Sequence, residues 1–243
     1  MSNNSIDTQL LHVLNSTTPQ DINEVVQLLT AIDALLTNND GLKWFNLLYL
    51  MTTQEVLNQP PPNGWQNPAW LTRLDVVFAQ LYRNTLRDFL SHGGPTPSSW
   101  QALFERRHAG DVERIQFAVA GMNAHINRDL ALALIETSQQ LGFVPAENGP
   151  EHQDFEHVNN ILEIVLPRAL DVLADGRILG ELAEDSGLVG RLLAIWNVRR
   201  ARELAWDFAD ILRGLSGLRR RAVLTVQDKT TGALGRSLLL PLH

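Results

Sequence analysis

The chain has 243 residues and no cysteine. That absence removes disulfides, iron–sulfur clusters, thiolate zinc sites and a cysteine nucleophile at once. A metal ion would have to be held by histidine, carboxylate or amide groups. Positive charge is also short: 20 Lys and Arg stand against 27 Asp and Glu, giving a net charge of −7. Phosphate backbones are bound through positive charge, so no nucleic-acid partner is expected. The short basic run Arg219–Arg221, beside Arg213, reads as a solvated helix end or a partner for carboxylates. No apolar run approaches the ~20 residues that span a bilayer. The N-terminus "MSNNSIDTQLLHVL" lacks the basic segment and long apolar stretch of a signal peptide. The expectation is a cytoplasmic protein with no membrane partner. Fixed-period repeats, low-complexity segments, a G-x-S-x-G elbow, a P-loop and a G-x-G-x-x-G after a strand are all missing.

What is present is helical. With 44% hydrophobic and 19% charged residues the chain is long enough to bury a core without staples. Residues 1–18 are polar and read as a flexible N-terminal segment. Thr18 and Pro19 then open a first helix as cap and first turn, with Ile22, Val25, Val26, Leu29 and Ile32 at helical spacing. "LKWFNLLYLMTTQEVL" is a second apolar segment, stopped by the loop "NQPPPNGWQNP". Asn67 and Pro68 start a third helix that ends at Gly93 and Gly94. "PTPSSWQALFERRHAG" gives a short fourth. A long fifth, capped by Asp111, runs to Gly142. A sixth begins near Glu151 and carries Pro167, which should kink it. A seventh, "GLVGRLLAIWNVRRARELAWDFADILRGL", follows a Gly-containing connection. The tail reads less regularly: "AVLTV" and "SLLLPL" suit short strands around Thr231-Gly232, ordered coil or a last helical turn. The expected architecture is all-α, a single-domain bundle of about seven helices spanning 19–243 with a less regular C-terminal tail.

The stretch "AGMNAHINRDLALAL" raises the functional question. Projected at ~100° per residue, Met122, Ile126, Leu130 and Ala133 share an arc with His125 and Asp129, which lie roughly 40° apart. Arg128 falls elsewhere by the same phase. The third helix repeats the anomaly, with Asp75 inside the apolar face Leu71, Phe78, Ala79, Tyr82, Leu86 and Phe89. A buried lone carboxylate is costly, so each Asp needs a cation, a donor or a proton. One reading makes Asp75, His125 and Asp129 the ligands of a divalent ion, zinc foremost, because two Asp and one His suit it and ligands four apart on a helix reach one point. The other makes them a hydrogen-bond network that ties helices together. Asn46, Asn127 and Asn159 are amides in apolar surroundings that can orient such groups. In "NVRRARELAWDFAD", Arg199 can pair with Glu203 or take a substrate carboxylate, and Arg202 can stack on Trp206.

Several blocks in order then carry a resemblance: "FNLLYL" (45–50), "LTRLDVVFAQLY" (71–82), "SWQALFERR" (99–107), "NAHINRDL" (123–130), "HQDFEHVNNIL" (152–162), "NVRRARELAWDFADIL" (197–212) and "ALGRSLLLPL" (233–242). The chain resembles an uncharacterised, mostly bacterial family of helical proteins with an N-A-H-I-N-x-D-L hallmark. The resemblance covers all but about the first 20 residues. It implies an all-helical domain of unknown function and carries the hallmark positions onto Asp75, His125, Asn127 and Asp129. It also associates the fold with zinc-dependent lyases or hydrolases, without naming a substrate. Two functions are therefore expected to compete. One is a metal-dependent hydrolase or lyase acting on a small molecule. The other is a non-catalytic scaffold or small-molecule binding module with the same residues as its core network. The oligomeric state is not read from the sequence.

Overall fold

The structure, a computed structural model, describes residues 3–173 and 197–241. Its helices are α1 (Asn3–Ser16), α2 (Ile22–Leu35), α3 (Leu42–Asn58), α4 (Pro68–Leu90), α5 (Ser98–Arg106), α6 (Arg114–Ala124), a π-helical segment (His125–Leu130), α7 (Ala131–Leu141), α8 (Pro150–Leu173), α9 (Val198–Arg213) and α10 (Gly217–Leu238). Since α6, the π segment and α7 run on as one rod, the described residues form nine rods and no strand. The two rods beyond the expected seven lie at the ends of the chain. None of the described helices is long and apolar enough to cross a membrane. The expected connection after Gly176 and the first part of the expected seventh helix lie outside the described residues.

The N-terminal segment is helix α1 rather than a flexible lead. Ile6, Leu10 and Leu14 recur at helical spacing and are buried in the main core. Arg107, at the end of α5, holds α1 electrostatically: it is buried, pairs with buried Asp40 and donates to Asp7 of α1 at 2.9 Å. The start of α2 is also corrected. Its cap is Asp21, whose side chain accepts from Glu24 N, because a carboxylate satisfies an orphan N–H that Thr18 is too early to reach. The cap of α4 is Asn67 followed by Pro68, as the sequence predicts. The long rod starts at Arg114, with Gln116 reaching back to Glu113 N, so Asp111 does not cap it. It ends at Gly142, whose φ of 76° suits glycine.

The C-terminal tail is the other correction. It forms α10, which lies across α5 and α6. Its buried residues are Thr231, Gly232 and Gly235. Packing through small residues leaves no apolar stripe, so the helical period was invisible and the β-branched residues misled. Gly232 is required at this crossing: a Cβ there would come under 3.0 Å from the Ser98 carbonyl oxygen. A second close approach joins the rods that carry the site. A Cβ at Gly121 of α6 would lie under 3.0 Å from the Phe45 ring of α3. The main core draws residues from every helix from α1 to α9, and its largest fully buried side chains are Trp70, Trp100, Tyr82 and Phe45.

Candidate functional site

Five elements leave a cavity between them: α3, α4, the rod of α6 and the π segment, α8 and α9. The space reachable by the centres of water-sized molecules is ≈ 80 Å³, and the empty volume, solvent at the mouth included, is ≈ 760 Å³. Leu48, Leu71, Leu74, Val158 and Leu162 make its walls largely apolar. Four ionisable side chains also line it: Tyr49, Asp75, His125 and Arg202.

His125 is the first residue of the π segment. Insertions of this type inside an α-helix shift the backbone bonding to i→i+5 and recur at functional sites. The imidazole is 2% exposed and walled by aromatic rings. Phe78 stacks on it with centroids 3.5 Å apart and planes 5° apart, and Tyr49 meets it edge-on at 4.8 Å. Its Nδ1 faces Asp129 Oδ2 at 3.2 Å. An ionised carboxylate only accepts, so Nδ1 carries the proton and Nε2 presents a lone pair. That Nε2 is buried and has no hydrogen-bond partner. Burial pushes the imidazole pKa down, and the contact with Asp129 works against it without reversing it. The ring is therefore neutral at pH 7.

Asp129 is fully buried and its carboxylate is already occupied. Oδ2 accepts from Trp100 Nε1 at 2.8 Å as well as from His125, and Oδ1 accepts from Arg128. The sequence phase sent Arg128 elsewhere. In the structure its guanidinium closes on Asp129 and reaches Asp228 of α10 at 3.4 Å. The π turn breaks the regular 100° projection, and a long arginine stem spans the remaining gap. Asp129 does not line the cavity, and its Oδ2 faces the imidazole from behind the cavity wall.

Asp75 does line it. The residue as a whole is only half-buried, yet its Oδ2 is shut off from solvent and unpartnered. Burial raises its pKa to about 7. Tyr49 adds a third orphan, since its hydroxyl is buried without a partner. Burial first, and then the nearby Asp75, Asp129 and Tyr82, push its pKa well above the ordinary phenol value, so it stays a neutral donor. The remaining site candidates, Asn46, Asn127, Asn159 and Arg199, stand outside the cavity wall. Asn46 is buried and donates to Leu29 O at 2.9 Å, tying α3 to α2. Asn127 donates to Asn123 at 2.9 Å, and Asn123 donates to Thr231 O of α10. Asn159 accepts from Arg202 Nε at 2.7 Å. Arg199 lies on the outer face, paired with Glu156 and Glu163 of α8 rather than with Glu203.

Sequence reasoning overlooked Tyr49 and passed over Arg202 as a stacking residue for Trp206. Both were visible in principle. Tyr49 is four residues from Phe45 and from Thr53, on one face of α3. Arg202 interrupts the buried stripe Ala201, Ala205, Trp206, Ala209 and Leu212 of α9, and its guanidinium lies over Phe155, 4.1 Å from the ring centroid. Among the described residues no three His, Asp or Glu side chains form a group able to hold a metal ion. The two carboxylate or imidazole atoms without partners at the cavity are Asp75 Oδ2 and His125 Nε2.

A family described as a family of unknown function (DUF5995) matches residues 22–241. No curated protein matches, and neither does any solved structure.

Proposed function

The chain belongs to the family of unknown function DUF5995, and we propose that its cavity takes a small, mostly apolar molecule and moves a proton on it. The observation that carries this reading is the meeting of three orphaned polar atoms at one apolar cavity: His125 Nε2, Asp75 Oδ2 and Tyr49 Oη. Buried polar atoms without partners are costly, and a ligand supplying an O–H and an acceptor would relieve that cost. A scaffold role accounts for Asp129, which is saturated by protein donors, but leaves those three atoms without a purpose.

In this reading His125 Nε2 is the general base. Asp129 fixes the tautomer that exposes the lone pair and steadies the imidazolium formed on proton uptake, while Arg128 and Trp100 hold Asp129. Asp75, with a pKa of about 7, can give or take the matching proton near neutral pH. Tyr49 donates to an oxygen of the substrate. The aromatic wall keeps bulk water from the base. A neutral imidazole beside a carboxyl that titrates near 7 suits proton abstraction with elimination, hydration or isomerisation. A divalent ion is the competing reading of the same atoms, with Asp75 and His125 as its protein donors.

Turnover of small apolar alcohols, ketones and unsaturated acids by untagged protein tests this. His125→Gln is expected to lower any activity found by about a hundredfold or more while the far-ultraviolet circular dichroism stays that of wild type. Equal turnover by the variant would sink the proton role. Stoichiometric zinc in the same preparation, lost together with activity on chelation, would replace the free base with the metal.

A further inference from the structure

Arg202 is 6% exposed and lines the cavity that holds His125 and Asp75. Its direct partners are neutral, while the Glu156 carboxylate, which accepts from Asn159 at 3.1 Å, favours its charge from beyond contact. Nε donates to the Asn159 amide oxygen at 2.7 Å, Nη2 donates to the Phe155 carbonyl at 2.8 Å, and the guanidinium lies over the Phe155 ring. Among the described residues Nη1 makes no hydrogen bond, and no carboxylate lies within the 4.0 Å of an ion pair. Its neighbours differ: Arg199, Arg200 and Arg213 each pair with an acidic side chain. A buried cation with no carboxylate in contact is costly, and Glu156 offsets that cost only from a distance. Burial pushes its pKa down to about 10, which still leaves it charged at pH 7. Its two neutral hydrogen bonds fix the plane of the fork without using its charge.

We propose that Arg202 is the anchor for a carboxylate on the ligand, so that the molecule bound here is an apolar monoacid. The acid group pairs with Arg202, the apolar body lies against Leu71, Val158 and Leu162, and the reacting group reaches His125. This rests on the ligand pocket proposed above and names its substrate class. One arginine balances one negative charge. A phosphate monoester carries about −1.5 to −2 at neutral pH, and among the described residues its second charge would find no other cation in the wall and would face Asp75 instead.

Calorimetric titration with octanoate and with octanamide separates the two parts of the claim. The pair has the same chain and differs in charge. Wild-type protein at pH 7 is expected to bind octanoate about tenfold tighter than octanamide or better, the difference one charge-assisted pair supplies. Arg202→Gln is expected to abolish that preference, and Arg202→Lys to keep part of it, since the charge remains while the fork is lost. Should Arg202→Gln fail to fold because Asn159 and Phe155 lose their donor, the acid-to-amide ratio on wild type and on Arg202→Lys decides. Equal binding of acid and amide by wild type, octanoate binding to Arg202→Gln undiminished, or no binding of either compound overturns the anchor. The proton role fails separately: the ¹⁵N resonance of His125 Nε2 would then stay unmoved when 3-hydroxyoctanoate is added, even if the acid preference holds.

Discussion

Asp75 and His125 respond to pH in opposite directions. Burial lifts the Asp75 pKa from 3.8 to about 7, so the folded state binds a proton that the unfolded state has released. The stability tied to that proton is complete below the unfolded value and is lost as pH rises toward 7. Burial lowers the His125 pKa below 6.5, so there the unfolded state binds the extra proton and stability is lost as pH falls below 6.5. Where the two windows overlap, the slopes offset each other and the wild-type curve is expected to be nearly flat. Asp75→Asn removes one slope, so its stability should rise with pH up to about 6.5. His125→Gln removes the other, so its stability should fall between about pH 4 and 7, by at most roughly 4 kcal/mol for a shift of this size. Urea unfolding at half-unit pH steps measures both, and parallel curves for the two variants would refute the assignment. A third change tests the brace behind the ring. Asp129→Asn leaves part-buried Arg128 with Asp228 alone and removes the buried acceptor shared by Trp100 and His125, and a loss of about 1–3 kcal/mol is expected in the same assay. The helical phase revealed Asp75, His125 and Asp129 because each interrupts an apolar face. It could not reveal that Asp129 is saturated, since Trp100 and Arg128 reach it by tertiary approach and by a local change of helical pitch.

At the scale of elements, the rods are set by how closely two backbones come together. Gly121 brings α6 against the Phe45 ring, and Phe45 in turn meets Trp100 at 5.3 Å and His125 at 5.6 Å edge-on. Gly121→Ala therefore pushes on the aromatic wall of the site itself. It is expected to cost about 1–3 kcal/mol in urea unfolding and to broaden the His125 imidazole resonances. Phe45→Leu in the same chain should recover part of that loss by making room. Gly232→Ala is expected to cost more than Gly121→Ala, because the Cβ meets the Ser98 backbone, which cannot swing aside as a ring can. The seven central rods were legible from the spacing of their apolar residues and from caps such as Asn67 and Pro68. The helix α1 was not, because Ile6, Leu10 and Leu14 are spread thinly among polar residues. The π segment was not either, since a regular projection assumes the pitch that it changes.

For the molecule as a whole, the last helix braces the first half of the chain. Asp228 of α10 accepts from Ser98 N at 2.8 Å and from Ser99 N and Oγ, so it caps α5 across 129 and 130 residues of sequence. Gln116 of α6 donates to the carbonyls of Leu238 and Leu240 at 2.7 and 2.8 Å, and Gln227 donates to Asn127 O in the π segment. Asp228→Asn keeps the size of the side chain and removes the charge that serves both α5 and Arg128. The expected loss is about 1–2 kcal/mol, the range of a lost helix cap, together with a measurable change in the His125 ¹⁵N shifts. A stability loss with unchanged imidazole shifts would uncouple the tail from the site. Such contacts at long sequence distance have no local signature, which is why the tail read as irregular while the central bundle did not.

The brace also sets an order in time. A ribosome releases the chain from its N-terminus, so α3, α4 and the rod bearing His125 are made well before the residues that latch them. Until Asp228 and the carbonyls of Leu238 and Leu240 have left the exit tunnel, Arg128 has one carboxylate partner instead of two and the start of α5 has no cap. A nascent or prematurely stopped chain would therefore carry every cavity-lining side chain while lacking the contacts that α10 makes to α5, to Arg128 and to the rod behind the imidazole.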